Sequence, residues 1–452
     1  MLETQVTRWL QSCRQLCDMQ VEEIPWRQSR EWDFNGHRFQ HKSGGFFRVI
    51  GATVCFNGKR QNRFDQPLID QTEIGILGFL IRRVGGKTEI LVQAKPEPGN
   101  IGLVQAAPSV QATRSNYQRI HKGKETLFVE YFLGTRKATV LSDSIQSEQG
   151  TRFLSKFNRN MMVELPDGMS IPESSVFNWF PLQDLYPLLN QDFQVNTDAR
   201  SVLTCGPWQA LAPYNKPFAR WRDQGGLGEA LLRSYETPEE KSACPTREII
   251  DRLHRLQSKA EFETLVLGLP DLADWEVTKS GIRSPIWKSL EVRHYKIEST
   301  VREVRQWDQP LMASREQGRA VLLCQEKDGV LHFLFNCRAE IGFRKCFEHG
   351  PTIQDLDGNS FILPALQEKE FELGDLIKKS TVLLSNLQSD EGGRFFRCTS
   401  KYSIHLMNQD EVIELDENLS WLTLRQIEHL AKQPDFFSNE ARSLISMLLA
   451  YL

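Results

Sequence analysis

At 452 residues the chain is long enough for two or three domains, because a single hydrophobic core stops growing well before that length. Its 55 Lys and Arg against 58 Asp and Glu leave a formal charge of −3, which excludes a global pull toward nucleic acid or an anionic membrane. Any bound phosphate must therefore be held by a local cluster.

The N-terminal stretch 1–16 is amphipathic and carries an acid, unlike a signal peptide, and apolar runs such as Ile74 to Ile81 are too short to span a bilayer. The expectation is a cytoplasmic protein without membrane contact. Nine scattered cysteines with no C-x-x-C pair read as free thiols; neither disulfides nor a structural metal are implied.

In chain order, helical spacing of apolar residues predicts a helix over 2–20. Strand signals follow at Phe46 to Ile50, then Ile76 to Arg83 turning at Gly85-Gly86 into Glu89 to Gln93, then Leu127 to Leu133. A helix at Leu182 to Leu189 precedes a connector, 206–245, marked by Pro207, Pro213, Pro217 and the run Gly225 to Gly228. That glycine run follows no strand and lacks a third glycine, so it is not read as a dinucleotide loop. Beyond it the pattern recurs. A helix over 246–266 is followed by strands Ala320 to Cys324 and Leu331 to Asn336 around Asp328-Gly329, then by helices at Thr423 to Lys432 and Asn439 to Tyr451. The class is mixed α+β, with sheets formed mainly by hairpins.

The recurrence is an internal repeat. An offset of 243 residues pairs Asp65-Gln66-Pro67-Leu68 with Asp308-Gln309-Pro310-Leu311, Glu97 with Glu340, Gly99 with Gly342 and Gln111 with Gln354. An offset of 242 then pairs Gln146-Ser147 with Gln388-Ser389, Arg152-Phe153 with Arg394-Phe395, Trp179 with Trp421 and Ala199-Arg200-Ser201 with Ala441-Arg442-Ser443. The chain therefore divides into 1–205, the connector 206–245, and 246–452, with one fold expected in both halves.

Two polar stretches stand out. The first runs from Lys95, Glu97 and Asn100 through Gln105 and Gln111 to Arg114, Ser115, Asn116, Tyr117 and His121, and gathers acids, bases and oxyanion donors between rigid prolines. The second, 147–160, carries Arg152, Lys156, Asn158 and Arg159, whose three cations and neighbouring amides suit a diphosphate.

The stretches KPEPGN (95–100), VQATRSNY (110–117) with His121, SEQGTRFLSKFNRN (147–160), SDEGGRFF (389–396) and ARSL (441–444) resemble the NDP-hexose 2,3-dehydratases of deoxysugar biosynthesis. Ser109 stands where that family more often has Thr, and Pro96 where a small residue is common. The resemblance implies two tandem Nudix-like domains from internal duplication, a homodimer, and action on dTDP-4-keto-6-deoxyglucose. It also implies that the C2 hydroxyl is lost by C3 proton abstraction and β-elimination, giving a 3,4-diketo-2,6-dideoxy sugar after tautomerisation. No metal helix of the R-E-x-x-x-E-E kind is present: Arg247-Glu248, Arg302-Glu303 and Arg315-Glu316 lack the trailing acid pair. This counts against the alternative of a Nudix-type nucleotide-sugar hydrolase. A non-catalytic nucleotide-sugar binding protein is the other alternative.

In a 4-keto sugar the carbonyl acidifies the C3 proton, so the elimination needs a base at C3, a donor at the C4 oxygen and an acid near the C2 oxygen, and no cofactor. On this reading Glu97 or His121 is the base, and Tyr117 and Lys95 are the oxyanion donor and the leaving-group acid. Asn100, Gln105, Gln111, Arg114, Ser115, Asn116, Arg152, Lys156, Asn158 and Arg159 bind substrate, with an aromatic ring on the base. In the second copy Lys95 becomes Arg338, Asn100 becomes Phe343, Arg114 becomes Asp357, Tyr117 becomes Ser360 and Lys156 becomes Cys398. The first half is thus the expected active pocket, and Arg338, Glu340 and Arg394 mark a remnant. The polar run Asp390 to Arg394 leaves a composite site at a dimer interface open. Structural readings stand beside these: Glu97 with Glu340 as turn-bonding carboxylates, Arg152 with Arg394 as buried structural arginines, Trp179 with Trp421 as core, Arg200 with Arg442 as ion pairs, and His37, His41, His294 and His405 as ordinary residues.

Overall fold

The computed structural model describes residues 4–56, 59–117, 126–169, 171, 174–260, 262–286, 290–302, 304–355 and 367–452. The chain is mixed α+β, and its described residues are organised around four sheets. In the first large sheet the strands run in the order Thr139–Ser147, Phe157–Glu164, Gly75–Val84, Lys87–Pro96, Phe177–Pro181, with Val104–Ala107 and Val110–Ala112 added at the open end of the central hairpin. The second large sheet has the same order: Thr381–Ser389, Thr399–Leu406, Gly318–Lys327, Val330–Ala339, Leu419–Leu422, with Phe347–Gly350 and Ile353–Asp355 added likewise.

The central hairpins turn where glycines were seen, at Gly85-Gly86 and Asp328-Gly329, each of which has positive φ. A parallel pairing sits beside each hairpin, Phe157–Glu164 with Gly75–Val84 in the first sheet and Thr399–Leu406 with Gly318–Lys327 in the second, so hairpins alone do not build the sheets. The central strands are buried on both faces, which is why they read as unbroken apolar runs.

Two smaller sheets pack against each other and exchange strands between the halves. Arg48–Phe56 and Lys59–Asp70 of the first half receive Phe262–Leu267 from the second. Leu290–Glu298 and Gln306–Ser314 of the second half receive Gln20–Ile24 from the first. The exchange is pinned symmetrically: Trp32 Nε1 donates to the Asp308 carbonyl and Trp275 Nε1 to the Asp65 carbonyl, each at 2.8 Å. One apolar core of Trp32, Phe47, Phe153, Trp275, Met312 and Phe395 fills the space between these sheets.

The helices Thr197–Thr204 and Asn439–Leu448 face each other between the large sheets, capped by Asn196 and Ser438. Thr197 Oγ1 donates to Asn439 Oδ1 at 2.9 Å, and Arg442 Nε to Ser201 Oγ at 2.8 Å. Arg200 and Arg442 were expected in ion pairs. Among the described residues they instead donate to backbone carbonyls, those of Leu189 and Val195 for Arg200 and those of Phe437 and Ser147 for Arg442. Trp421 is core, whereas Trp179 is half-buried beneath the Arg82 guanidinium, 4.4 Å from its ring centre.

Three local expectations change. The helix predicted over 2–20 spans Gln5–Leu16, and the residues after Cys17 become the exchanged strand. The helix predicted over 246–266 ends at Ser258, and Phe262–Leu267 is the other exchanged strand. Leu127 to Leu133 is not a strand: it holds the short helix Val129–Phe132, whose apolar side chains cover the first large sheet. The connector carries helices of its own, Trp208–Leu211 and Gly226–Glu236, packed into the main core. No helix among the described residues is long and apolar enough to cross a membrane.

Candidate active site

The strand Lys87–Pro96 carries Lys95 to the edge of a cleft of about 780 Å³, in the range of small-molecule sites. Lys95 Nζ donates to the Gln111 carbonyl at 3.2 Å and lies 3.9 Å from Glu97 Oε1. Gln111 Nε2 donates to the same Glu97 oxygen at 3.1 Å, Asn100 Nδ2 reaches Glu97 Oε2 at 3.5 Å, and Asn196 Nδ2 holds the Gln111 side chain at 3.1 Å. Glu97 is thus fixed from three sides and is only 3 % exposed. Burial pushes its carboxyl above the usual range, Lys95 opposes that shift, and Glu391 adds to it.

Lower in the cleft, Ser115 Oγ donates to Glu73 Oε2 at 2.8 Å and Lys156 Nζ donates to the Glu73 carbonyl. Asn158 accepts from Gly75 N at 3.0 Å and donates to Glu148 Oε1 at 2.6 Å. Burial lowers the Lys156 ammonium to about 8 and lifts Glu148 to about 7. Asp198, in the first turn of its helix, also lines the cleft; burial, then Glu391 and Glu148, hold its carboxyl well above the usual range.

The opposite wall comes from the second half. Residues 389–396 cross the junction between the halves, tied by Gly99 N to the Gly392 carbonyl at 2.9 Å and by Arg397 N to the Gly99 carbonyl at 2.9 Å. They bring Glu391, Gly393 and Arg394 into the cleft, where Arg302, Trp307, Asp308 and Gln309 join them. The Arg394 guanidinium stacks 4.4 Å from the Phe47 ring centre and donates to Gln71 Oε1 at 3.2 Å. Trp32, His41, Phe46 and Phe47 complete an aromatic side.

The mirror exchange occurs at the second copy. Gly342 N donates to the Gly150 carbonyl at 2.7 Å and Ser155 N to the Gly342 carbonyl at 2.8 Å, so residues 147–154 cross the other way. Arg338 Nη2 donates to the Gln354 carbonyl at 3.1 Å and Gln354 Nε2 to Glu340 Oε1 at 2.8 Å, repeating the Lys95, Gln111, Glu97 arrangement. Burial lifts Glu340 to about 8, against the pull of Arg338 and Arg152.

Of the residues predicted from sequence, Lys95, Glu97, Gln111, Ser115, Lys156 and Asn158 meet on the cleft wall. Asn100 stands behind Glu97, and Gln105 is buried at the junction, donating to Ser389 Oγ at 2.7 Å. Arg152 and Arg394 have traded sides relative to expectation: Arg152 lies beside Glu340, and Arg394, assigned to the remnant, lines the first cleft. The crossing segments account for both.

Arg159 is engaged at the surface with Asp143, its Nε 2.7 Å from Oδ1, and Arg114 is exposed outside the cleft. Tyr117 packs against the apolar cluster of Ile76, Leu80 and Phe132 instead of lining the cleft. His121 and the Asn116 side chain lie outside the described residues, as do the second-copy residues Asp357 and Ser360. Reading the sequence missed Asp198, Arg302 and Trp307. The polarity of 390–394 was visible, and within the chain it marks a wall of the cleft that the second half supplies to the first.

A sequence profile of the NDP-hexose 2,3-dehydratases matches residues 3–205 and again 246–448. The chain is 33 % identical over 439 residues to a dTDP-4-dehydro-6-deoxy-alpha-D-glucopyranose 2,3-dehydratase of Saccharopolyspora spinosa, covering 95 % of this chain and 87 % of that protein. Proteins of the same name are 31 % identical in Amycolatopsis orientalis, over 98 % of this chain and 90 % of theirs, and 31 % identical in Streptomyces violaceoruber, over 90 % and 87 %. A chain matched twice by one profile, and alike along its length to three such enzymes, belongs to the NDP-hexose 2,3-dehydratase family.

Proposed function

We propose that this chain dehydrates dTDP-4-keto-6-deoxyglucose across C2 and C3, yielding a 3,4-diketo-2,6-dideoxy sugar nucleotide. The observation that carries the reading is the pairing of Lys95 with the buried Glu97 on the wall of a cleft of about 780 Å³, in a member of this family. Lys95 is the donor to the C4 oxygen as the enolate forms, a role worth about 3 kcal/mol where the donor is preorganised. Glu97, whose burial favours the protonated carboxyl, supplies the proton that turns the departing C2 hydroxide into water.

Lys156 and Arg394, with the amide of Asn158, face the diphosphate, and the rings of Trp32, Phe46, Phe47 and Trp307 offer a stacking surface for the nucleobase. The halves 1–205 and 246–452 are two Nudix-like copies, the second holding a remnant pocket around Arg338 and Glu340. The assembly is a homodimer in the cytoplasm. Incubation with dTDP-4-keto-6-deoxyglucose, followed by mass spectrometry, tests the activity. Loss of one water from the intact nucleotide sugar supports it; release of a sugar phosphate, or an unchanged substrate, overturns it.

A further inference from the structure

The elimination needs a base at C3, and the sequence offered two. His121 lies outside the described residues, and Glu97 is buried, which favours its protonated form and so a proton donor. A second carboxylate enters the cleft from the other half of the chain. The turn 391–395 is closed by Arg394 N and Phe395 N, which donate to the Glu391 carbonyl at 2.9 and 3.0 Å, and its side chain lines the cleft, half-exposed.

A Cβ placed on Gly393 would stand 3.3 Å from Glu391 Oε1 and 3.5 Å from Glu97 Oε1. The two carboxyl groups therefore flank one point on the cleft wall, and the missing side chain at Gly393 leaves that point open to a substrate. At the corresponding place on the opposite crossing segment stands Gln149, whose Nε2 donates to Asp390 Oδ1 at 3.1 Å. An amide cannot accept the C3 proton.

We propose that Glu391, donated across the junction by the second half, is the catalytic base that removes the C3 proton. This rests on the dehydratase reading. The C3–H bond breaks, its electron pair enters the C3–C4 bond, and the C4 carbonyl becomes an enolate facing Lys95. The enolate then re-forms the carbonyl while a C2–C3 double bond forms and the C2–O bond breaks. The departing hydroxide takes the Glu97 proton and leaves as water, and Glu391 afterwards returns its proton to Glu97. No oxidant or reductant enters.

The test compares wild type, Glu391→Gln, Glu391→Asp and Glu97→Gln in deuterated water, following both water loss and exchange of the substrate C3 proton. Glu391→Gln should lower kcat by about 10² to 10⁴-fold, leave KM within about threefold of wild type, and abolish C3 exchange. Glu391→Asp should retain part of both, and Glu97→Gln should lose turnover yet still exchange C3. Undiminished turnover in Glu391→Gln, or lost turnover with exchange intact, overturns the assignment while the dehydratase reading stands. A wild-type protein that neither exchanges C3 nor loses water overturns both.

Discussion

Gly99 meets Phe395 so closely across the junction that a Cβ on Gly99 would lie 1.6 Å from the Phe395 carbonyl oxygen, and Gly342 meets Phe153 in the same way at 1.8 Å. The obstacle is backbone on both sides, so no side-chain rotation relieves it. Gly99→Ala should destabilise the chain by more than about 3 kcal/mol, seen as a lower midpoint of urea unfolding. Gly374→Ala, in the helix Gln367–Lys379 with nothing within 4 Å of the new atom, should instead stabilise by about 0.5 to 1 kcal/mol. Equal effects of the two would show that the junction gives way.

Strand exchange makes the halves interdependent. Each small sheet holds a strand from the other half, Phe262–Leu267 in one and Gln20–Ile24 in the other. Residues 4–205 and 246–452 produced separately should lack cooperative unfolding, and should regain it when produced together. A cooperative melt from either half alone contradicts this.

The cleft and its counterpart should respond differently to loss of their cations. Lys95→Ala should lower turnover by roughly 10² to 10³-fold, and Arg338→Ala should leave most of it, as steady-state kinetics on the nucleotide sugar would show. The reverse result would move the chemistry to the second copy.

Arg394 joins the cleft from the far half and carries a positive charge against Phe47. Arg394→Ala should raise KM about tenfold or more through the lost charge-assisted bond to phosphate, with a smaller change in kcat. An unchanged KM would remove Arg394 from nucleotide binding.

Glu340 makes stability depend on pH. Unfolded, it titrates near its ordinary 4.5, whereas burial in the folded chain lifts it to about 8. Below about pH 4.5 both states hold the proton and the group is neutral for stability; from there to about pH 8 the unfolded state alone ionises, and folding is progressively disfavoured. Glu340→Gln, which keeps the acceptor for Gln354, should therefore lose less stability than wild type between about pH 5 and about pH 9. Parallel losses in denaturant melts would exclude Glu340 as a source of the decline.

Local signals carried the fold a long way. The glycine turns at 85–86 and 328–329 located both central hairpins, and the offset pairing Asp65 with Asp308 marked equivalent places that turn out to be strands of the two small sheets, where no strand was read. The Leu127 to Leu133 run misled because a short apolar stretch has no period long enough to separate strand from helix. Tyr117 read as chemistry because it neighbours Arg114 and Ser115, yet its ring faces the core.

Arg152 and Arg394 were misplaced for a different reason. Their local sequences are alike in both copies, and which pocket each reaches is decided by the crossing of 147–154 and 389–396, which meet where Gln149 bonds Asp390, 241 residues away. Glu391 went unassigned on the same account. Asp198 was hidden beside a helix cap, where an acid ordinarily serves the helix dipole.

The crossing segments also bear on how the copies are free to drift. A substitution at Glu391, Gly393 or Arg394 is felt in the cleft of Lys95 and Glu97, so the second repeat carries Arg338 and Phe343 where the first has Lys95 and Asn100 while its loop stays answerable to the first. Place in the chain and place of employment are split: each half supplies a part whose usefulness is judged in the other.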